Sequence, residues 1–145
     1  GEKIAHLKEN QESIVFQIFK DTYGRIWLCT ERGLKLLNPE KLQENKIELL
    51  PLSKSFQFPA LQKVIMDMLQ DHSGNLWFAT SEGLVKISPS GYAKTFTGTD
   101  GLPSSSILSI LMDRETNLWI GTMKGVAKIP LSGSVEIFNS ASFGL

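Results

Sequence analysis

The sequence has very little of two residue types on which many catalytic and structural sites depend. It contains one cysteine, Cys29, and two histidines, His6 and His72. A single cysteine excludes an intramolecular disulfide, and its place within an apolar run is typical of a small buried side chain. Neither histidine has a second histidine or a cysteine at the spacing of a metal site. We therefore expect both histidines on the surface and predict no metal and no cofactor.

An excess of one charge and long apolar runs are also lacking. Fifteen basic residues balance fifteen acidic residues, so no net field attracts nucleic acid, and we predict no nucleic-acid partner. No apolar stretch approaches the roughly 20 residues that cross a bilayer, and residues 1–13 have no apolar region like that of a signal peptide. We expect any export signal or membrane anchor of the parent protein to lie outside this sequence.

Sequence signatures of catalysis are missing as well. There is no phosphate-binding loop, dinucleotide fingerprint or nucleophile elbow. Glu31, Glu82 and Glu115 are not paired as acid and base on one element, so glycosidase chemistry has no support. We predict no catalytic residue in this chain.

What the sequence does contain is a repeat. Three segments superimpose without gaps: DTYGRIWLCTERGLKL, DHSGNLWFATSEGLVKI and DRETNLWIGTMKGVAKI. Their tryptophans are 50 and then 42 residues apart, a period typical of a four-stranded propeller blade. The structural positions of the repeat are Asp21, Trp27 and Gly33 in the first copy, Asp71, Trp77 and Gly83 in the second, and Asp113, Trp119 and Gly125 in the third.

The residues around each Asp predict hairpins. Apolar stretches at 14–19, 64–69 and 106–112 are typical of strands buried on both faces. In the D-x-x-G turn that follows, the Asp side chain can accept hydrogen bonds from turn amides and the Gly can take a positive φ. A second strand, a T-x-x-G turn and a third strand come next, and Pro39, Pro89 and Pro130 close the three units. Because Thr116 replaces the glycine in the third copy, we expect a different turn or backbone strain there.

The fourth strand of each unit is weaker, at 46–52, 92–98 and 134–139, and residues 3–8 look like the outer strand of a preceding unit. We therefore predict an all-β chain, a partial β-propeller over residues 1–145. It has an outer strand at 3–8 and four-stranded antiparallel blades at 14–52, 64–98 and 106–139, with a loop insertion at 53–62. Since three blades cannot close a ring, we expect self-association or packing against remaining propeller blades.

Candidate ligand contacts follow from this geometry. The turns between second and third strands and the connections between blades, including 56–62 and 100–103, lie on one rim of a propeller. The candidates on these turns are Glu31, Arg32, Ser81, Glu82, Met123 and Lys124. The innermost strands each carry one polar residue that we predict to face the central channel: Gln17, Asp67 and Ser109. The alternative is that each is an ordinary solvated residue.

We interpret the tryptophans as wedges between blades rather than a sugar-stacking set, and the aspartates as turn caps rather than metal ligands.

The string D-x-x-G-N-L-W-[IF]-[GA]-T-x-x-G-[LV]-x-K-I, found in the second copy and nearly so in the third, resembles the two-component regulator propeller repeat. Residues 95–122 look especially like it, with DGLP before the third blade. That family forms seven-bladed propellers in the extracytoplasmic part of bacterial membrane receptors whose cytoplasmic part is a histidine kinase or a diguanylate cyclase.

The resemblance implies a non-catalytic, ligand-sensing segment in the periplasm. It also implies an oligosaccharide or other small ligand, and a membrane-anchored parent. Two alternatives remain: a protein-interaction scaffold, and a propeller enzyme like the streptogramin lyases, which have similar G-N-L-W-F strings. No histidine here lies in a segment that matches the catalytic segment of those lyases.

Overall fold

The computed structural model describes residues 13–131 and 138–139. These residues form three antiparallel sheets, and each sheet has four strands in sequence order. The predicted all-β class with four-stranded blades is confirmed. The strands are β1 (Val15–Lys20), β2 (Ile26–Thr30), β3 (Gly33–Leu37) and β4 (Leu49–Leu50) in blade one; β5 (Ile65–Gln70), β6 (Leu76–Thr80), β7 (Gly83–Ile87) and β8 (Ala93–Phe96) in blade two; and β9 (Ile107–Met112), β10 (Asn117–Thr122), β11 (Gly125–Pro130) and β12 (Phe138–Asn139) in blade three.

Each D-x-x-G turn is organised by its aspartate. One carboxylate oxygen of Asp71 accepts hydrogen bonds from the backbone N–H groups of Ser73 and Asn75, both at 2.9 Å. The other oxygen accepts from Trp77 Nε1 at 2.9 Å, so the turn cap also anchors the indole of the next strand. The same bond joins Asp21 to Trp27 and Asp113 to Trp119, again at 2.9 Å. The aspartate and the tryptophan of each repeat are therefore one hydrogen-bonded unit.

Thr116 takes the same turn as its glycine counterparts. Its φ is +60°, against +81° at Gly24 and +87° at Gly74, and its N–H bonds to the carbonyl of Asp113 as theirs do to the preceding aspartates. Of the two expectations for this position, the strained backbone is the one that holds.

Replacing Thr116 with glycine should therefore stabilise the chain. We expect the free energy of unfolding to rise by about 1 kcal/mol, because a β-branched residue at positive φ is strained and glycine is not. The matched control is Gly74→Thr, which should lower it. Chemical denaturation measures both values, and a lower midpoint for Thr116→Gly at unchanged slope would contradict the assignment of strain.

The blades pack face to face through two apolar clusters. In the first, Trp27 and Leu34 of blade one meet Ile65, Met68 and Phe78 of blade two. The second repeats this arrangement one blade further on, and its buried members are Trp77, Ala79, Leu84, Phe96, Leu102, Ile107, Ile110, Leu118, Ile120, Ala127 and Ile129. The tryptophan of one blade thus faces the blade that follows it in sequence. Trp27 and Trp77 therefore pack between neighbouring blades, as the sequence predicts.

The insertion at 53–62 is part of the core and not the loop we expected. It forms two 3₁₀ turns, Lys54–Phe56 and Pro59–Gln62, and buries Phe56, Ala60 and Leu61. The ring centroid of Phe56 lies 4.7 Å from that of Trp27. In blade two the corresponding partner of Trp77 is Phe96 of β8, at 5.8 Å. The insertion therefore supplies the aromatic partner that blade one's short fourth strand lacks.

That fourth strand is shorter than the sequence predicts. Between β3 and β4 the chain forms a helix that was not predicted from the sequence, α1 (Pro39–Gln43). Asn38 caps it by accepting the N–H of Glu40, and Pro39 takes the first helical position, where a missing N–H costs nothing. Only two of the residues at 46–52 remain as strand β4. Among the described residues, no helix is long and apolar enough to span a bilayer.

Apolar residues of β1 and β9 are exposed on the faces that no described blade covers, so the prediction that every innermost strand is buried on both faces is wrong for these two strands. Ile18 is 65% exposed, whereas Met68, at the same position of blade two, is 2% exposed because blade one covers it. Val15 and Phe16 are also exposed, as is Leu111 of blade three. The predicted outer strand at 3–8, His6 and the segment 134–137 lie outside the described residues.

Candidate ligand-binding grooves

Two of the three polar residues predicted for the channel meet across neighbouring blades. Gln17 of β1 donates its side-chain N–H to Asp67 of β5 at 3.0 Å. The second carboxylate oxygen of Asp67 accepts the backbone N–H of Ile110 in β9 at 3.1 Å. One carboxylate thus joins the innermost strands of all three blades. Ser109 is exposed beside this bridge.

The six predicted rim residues lie on the T-x-x-G turns. Each threonine hydroxyl donates to the carbonyl of the turn glycine, at 2.7 Å for Thr30 and Thr80 and 2.9 Å for Thr122. Glu31 accepts the N–H of Ile14, and Glu82 pairs with Lys63, so both carboxylates are used within the chain. The other four are exposed: Arg32, Ser81, Met123 and Lys124.

Two of the turn aspartates, Asp21 and Asp113, have carboxyl groups with lowered pKa values. Burial acts to raise the pKa of Asp21, but hydrogen bonds from Trp27 and Arg25 outweigh it and hold this pKa below its ordinary value. Hydrogen bonds from Trp119 and from Asn117 lower the pKa of Asp113 to about 2. Burial, and then the charge of Asp67, raise the pKa of the Cys29 thiol to about 12. Cys29 is consequently a neutral core side chain.

These pKa values predict acid sensitivity. A carboxyl whose folded pKa is depressed contributes stability that is complete above its unfolded pKa, near 4, and is lost as the pH falls through the folded pKa. For Asp113 that window runs from about pH 4 down to about 2. We expect urea midpoints to drop steeply across this window, and less steeply in Asp113→Asn. Identical slopes for the two proteins would contradict the role of this carboxylate.

Two grooves lie between neighbouring blades, and each is lined by residues of successive D-x-x-G turns. Both have a volume of about 320 Å³. None of the six predicted rim residues or the three channel residues lines either groove. These grooves were not predicted from the sequence, because the predicted ligand contacts lie on the T-x-x-G turns, the blade connections and the innermost strands.

The first groove, between blades one and two, is rich in hydroxyls around one arginine. The guanidinium of Arg25 lies 5.1 Å from the ring centroid of Trp27 and 5.2 Å from that of Tyr23. Its Nε also donates to Asp21, which neutralises its charge. Four serines complete the polar lining: Ser53, Ser55, Ser88 and Ser90. This groove can hydrogen-bond a neutral polar molecule.

The second groove, between blades two and three, carries positive charge. Lys86 Nζ lies 5.5 Å from the ring centroid of Trp77, and Lys94 Nζ lies 4.8 Å from that of Phe96. His72, exposed on the D-x-x-G turn, also lines it. Over the part of the chain that the structure describes, no group of three or more His, Cys, Asp or Glu side chains could hold a metal ion.

The repeat, the four-stranded sheets and their face-to-face packing define a segment of a β-propeller. A family model described as two component regulator propeller matches residues 61–82 and 101–124. The matches cover parts of the second and third copies of the repeat. These two segments therefore match the two component regulator propeller repeat, and the predicted resemblance is confirmed.

Solved structures share the fold. The extracellular domain of BT3049 from B. thetaiotaomicron, described as a hybrid two component system, has a TM-score of 0.71 and 23% identity over 97% of this chain and 19% of its own. PorZ, described as an essential bacterial surface component of the type-IX secretion system of Porphyromonas gingivalis, has a TM-score of 0.65 and 21% identity over 80% of this chain and 17% of its own.

An enzyme has the same architecture. Virginiamycin B lyase from Staphylococcus aureus has a TM-score of 0.57 and 19% identity over 89% of this chain and 42% of its own. The chain spans about a fifth of the length of the BT3049 domain. No curated protein matches the sequence. At these identities the structures establish the fold.

Proposed function

We propose that this chain is a ligand-sensing propeller segment of a bacterial two-component-type receptor, without catalytic activity of its own. The observation that carries the proposal is the match of the second and third repeats to the two component regulator propeller model. The similarity to extracellular domains described as parts of hybrid two component systems supports it. Each inter-blade groove has a volume within the range of small-molecule sites.

The cellular setting is part of the same proposal. The segment lies in the periplasm, as part of a membrane-anchored receptor with a histidine kinase or a diguanylate cyclase as its output. A ligand held between two blades contacts both of them. If the two blades can adopt two arrangements, the ligand favours the arrangement that it binds more tightly. The size of the shift is set by the difference between its two binding free energies.

A thermal-shift panel of neutral and acidic oligosaccharides tests the sensing role. A ligand that binds only the folded chain raises Tm by mass action, so we expect at least one sugar class to raise it in a concentration-dependent way. No rise with any member of the panel would contradict sugar sensing by this segment.

A second candidate is a protein-interaction scaffold, favoured by the exposed apolar face of blade one and by the similarity to PorZ. On this alternative the face binds another copy of the chain or further blades, and light scattering should show concentration-dependent association. A strictly monomeric chain at high concentration would argue against self-association.

A lyase activity has less support. The one histidine among the described residues, His72, is exposed on a turn.

A further inference from the structure

We propose that the groove between blades two and three is a site for an acidic sugar, whose carboxylate or sulfate group is bound by Lys86 and Lys94. The proposal rests on the proposed function, because it names the class of ligand that the segment senses and the place where it binds. Four observations carry it: the pairing of the two lysines, the absence of a neutralising carboxylate among the described residues, the contrast with blade one, and the lining of the groove.

The two lysines lie directly opposite each other on adjacent strands. Lys86 of β7 pairs with Lys94 of β8 in the antiparallel register, an arrangement in which like charges destabilise a sheet. Across the described residues, neither lysine forms an ion pair with a carboxylate. The one acid that lines the groove, Asp71, is already committed to four hydrogen bonds in its turn. An anion bound between the two ammonium groups would relieve their repulsion.

Blade one shows that the fold does not need these charges. Its residues at the corresponding positions are Leu36 and Leu50, which pair in the same register between β3 and β4. An apolar pair is therefore compatible with this place in a blade. The lysine pair is a feature of blade two and not a requirement of the repeat.

Besides positive charge, the groove has aromatic rings and polar side chains that a sugar can contact. The rings of Trp77 and Phe96 hold the two ammonium groups from one side, and such cation–π contacts fix the position of a charge that would otherwise sample many rotamers. His72, Ser73 and Asn75 of the D-x-x-G turn also line the groove and supply polar groups that can hydrogen-bond hydroxyls. Charge-assisted hydrogen bonds from lysine to carboxylate or sulfate are the stronger kind.

Titrations of the full chain by ¹⁵N–¹H NMR test this site. Digalacturonate is the carboxylate ligand, galactose 6-sulfate is the sulfate ligand, and galactobiose is the neutral control. The indole N–H of Trp77 reports on the groove, and that of Trp27, in the other apolar cluster, is an internal reference. We expect one or both acidic sugars to shift the Trp77 signal, and galactobiose to leave it in place.

The decisive variant is the double substitution Lys86→Leu with Lys94→Leu, which copies the pair found in blade one. It should keep or raise Tm, because it removes a like-charge pair, and it should weaken binding of the acidic sugar by at least about tenfold. Lys124→Gln, on an exposed turn at the other rim, is the control for net charge and should leave the affinity within about twofold.

Three results would overturn the inference: no shift of the Trp77 indole with either acidic sugar, equal binding of galactobiose, or equal weakening by Lys124→Gln. They are distinguishable from a failure of the sensing role. A neutral sugar that raises Tm while both acidic sugars leave Trp77 unchanged removes the acidic-sugar site and leaves sensing in place. The absence of any sugar effect on Tm or on the spectrum removes both.

Discussion

Replacing Trp77 with alanine is expected to lower the free energy of unfolding by about 3–5 kcal/mol, the cost of deleting a large buried aromatic side chain. Trp77 is 2% exposed and lies in the cluster that joins blades two and three. Its loss leaves a cavity beside Phe96 and removes a hydrogen-bond donor from Asp71. Urea denaturation measures the change.

Two further variants separate the contributions to this effect. Trp77→Phe keeps an aromatic ring and removes the Nε1 donor, so its loss should be intermediate. Tyr92→Ala removes an aromatic side chain that is 75% exposed, and the change should stay within about 0.5 kcal/mol. Equal losses for Trp77→Ala and Tyr92→Ala would show that the tryptophan does not hold the two blades together.

Replacing Gly83 with alanine should cost about 2–4 kcal/mol, from backbone strain together with overpacking. Gly83 has a φ of +134°, and a Cβ there would lie 2.7 Å from the carbonyl oxygen of Phe96. That oxygen belongs to the backbone of β8 and cannot turn away as a side chain could.

Gly24→Ala is the matched control for this clash. Gly24 also has a positive φ, +81°, but a Cβ there would meet nothing within 4 Å. Only the strain remains, so the expected loss is about 1 kcal/mol. Denaturation of the two variants gives the cost of the clash by difference. Equal losses would mean that the T-x-x-G turn does not pack against the fourth strand.

The periodic part of the fold was predictable from sequence. The Asp–Trp spacing is fixed by a turn whose cap also binds the indole of the next strand, so the same offset must recur in every copy. Residues that stand outside the repeat were not predictable in this way. Phe56 packs against the ring of Trp27 as Phe96 packs against that of Trp77. Phe56, however, comes from an insertion that has no counterpart in the other copies.

The candidate site was largely missed for a related reason. The inter-blade bond between Gln17 and Asp67 follows from the position of a polar residue within each innermost strand, and the sequence pointed to both residues. Lys86 and Lys94 lie opposite each other only because of the register between the third and fourth strands. That register could not be predicted, because the fourth strand has the weakest sequence signal of the blade. A helix signal was present at Asn38 and Pro39, where a cap residue precedes a proline, and it could have been recognised.

The blades are separate sheets packed face to face, and hydrogen exchange of the Ile110 amide tests this arrangement most directly. In this structure that N–H is bonded to the Asp67 side chain of the neighbouring blade. Asp67→Ala should therefore speed its exchange by about tenfold or more. The amide of Ile120, within blade three, should be unaffected. If β5 and β9 instead belonged to one continuous sheet, a backbone carbonyl would protect Ile110. Unchanged exchange in the variant would then contradict the account.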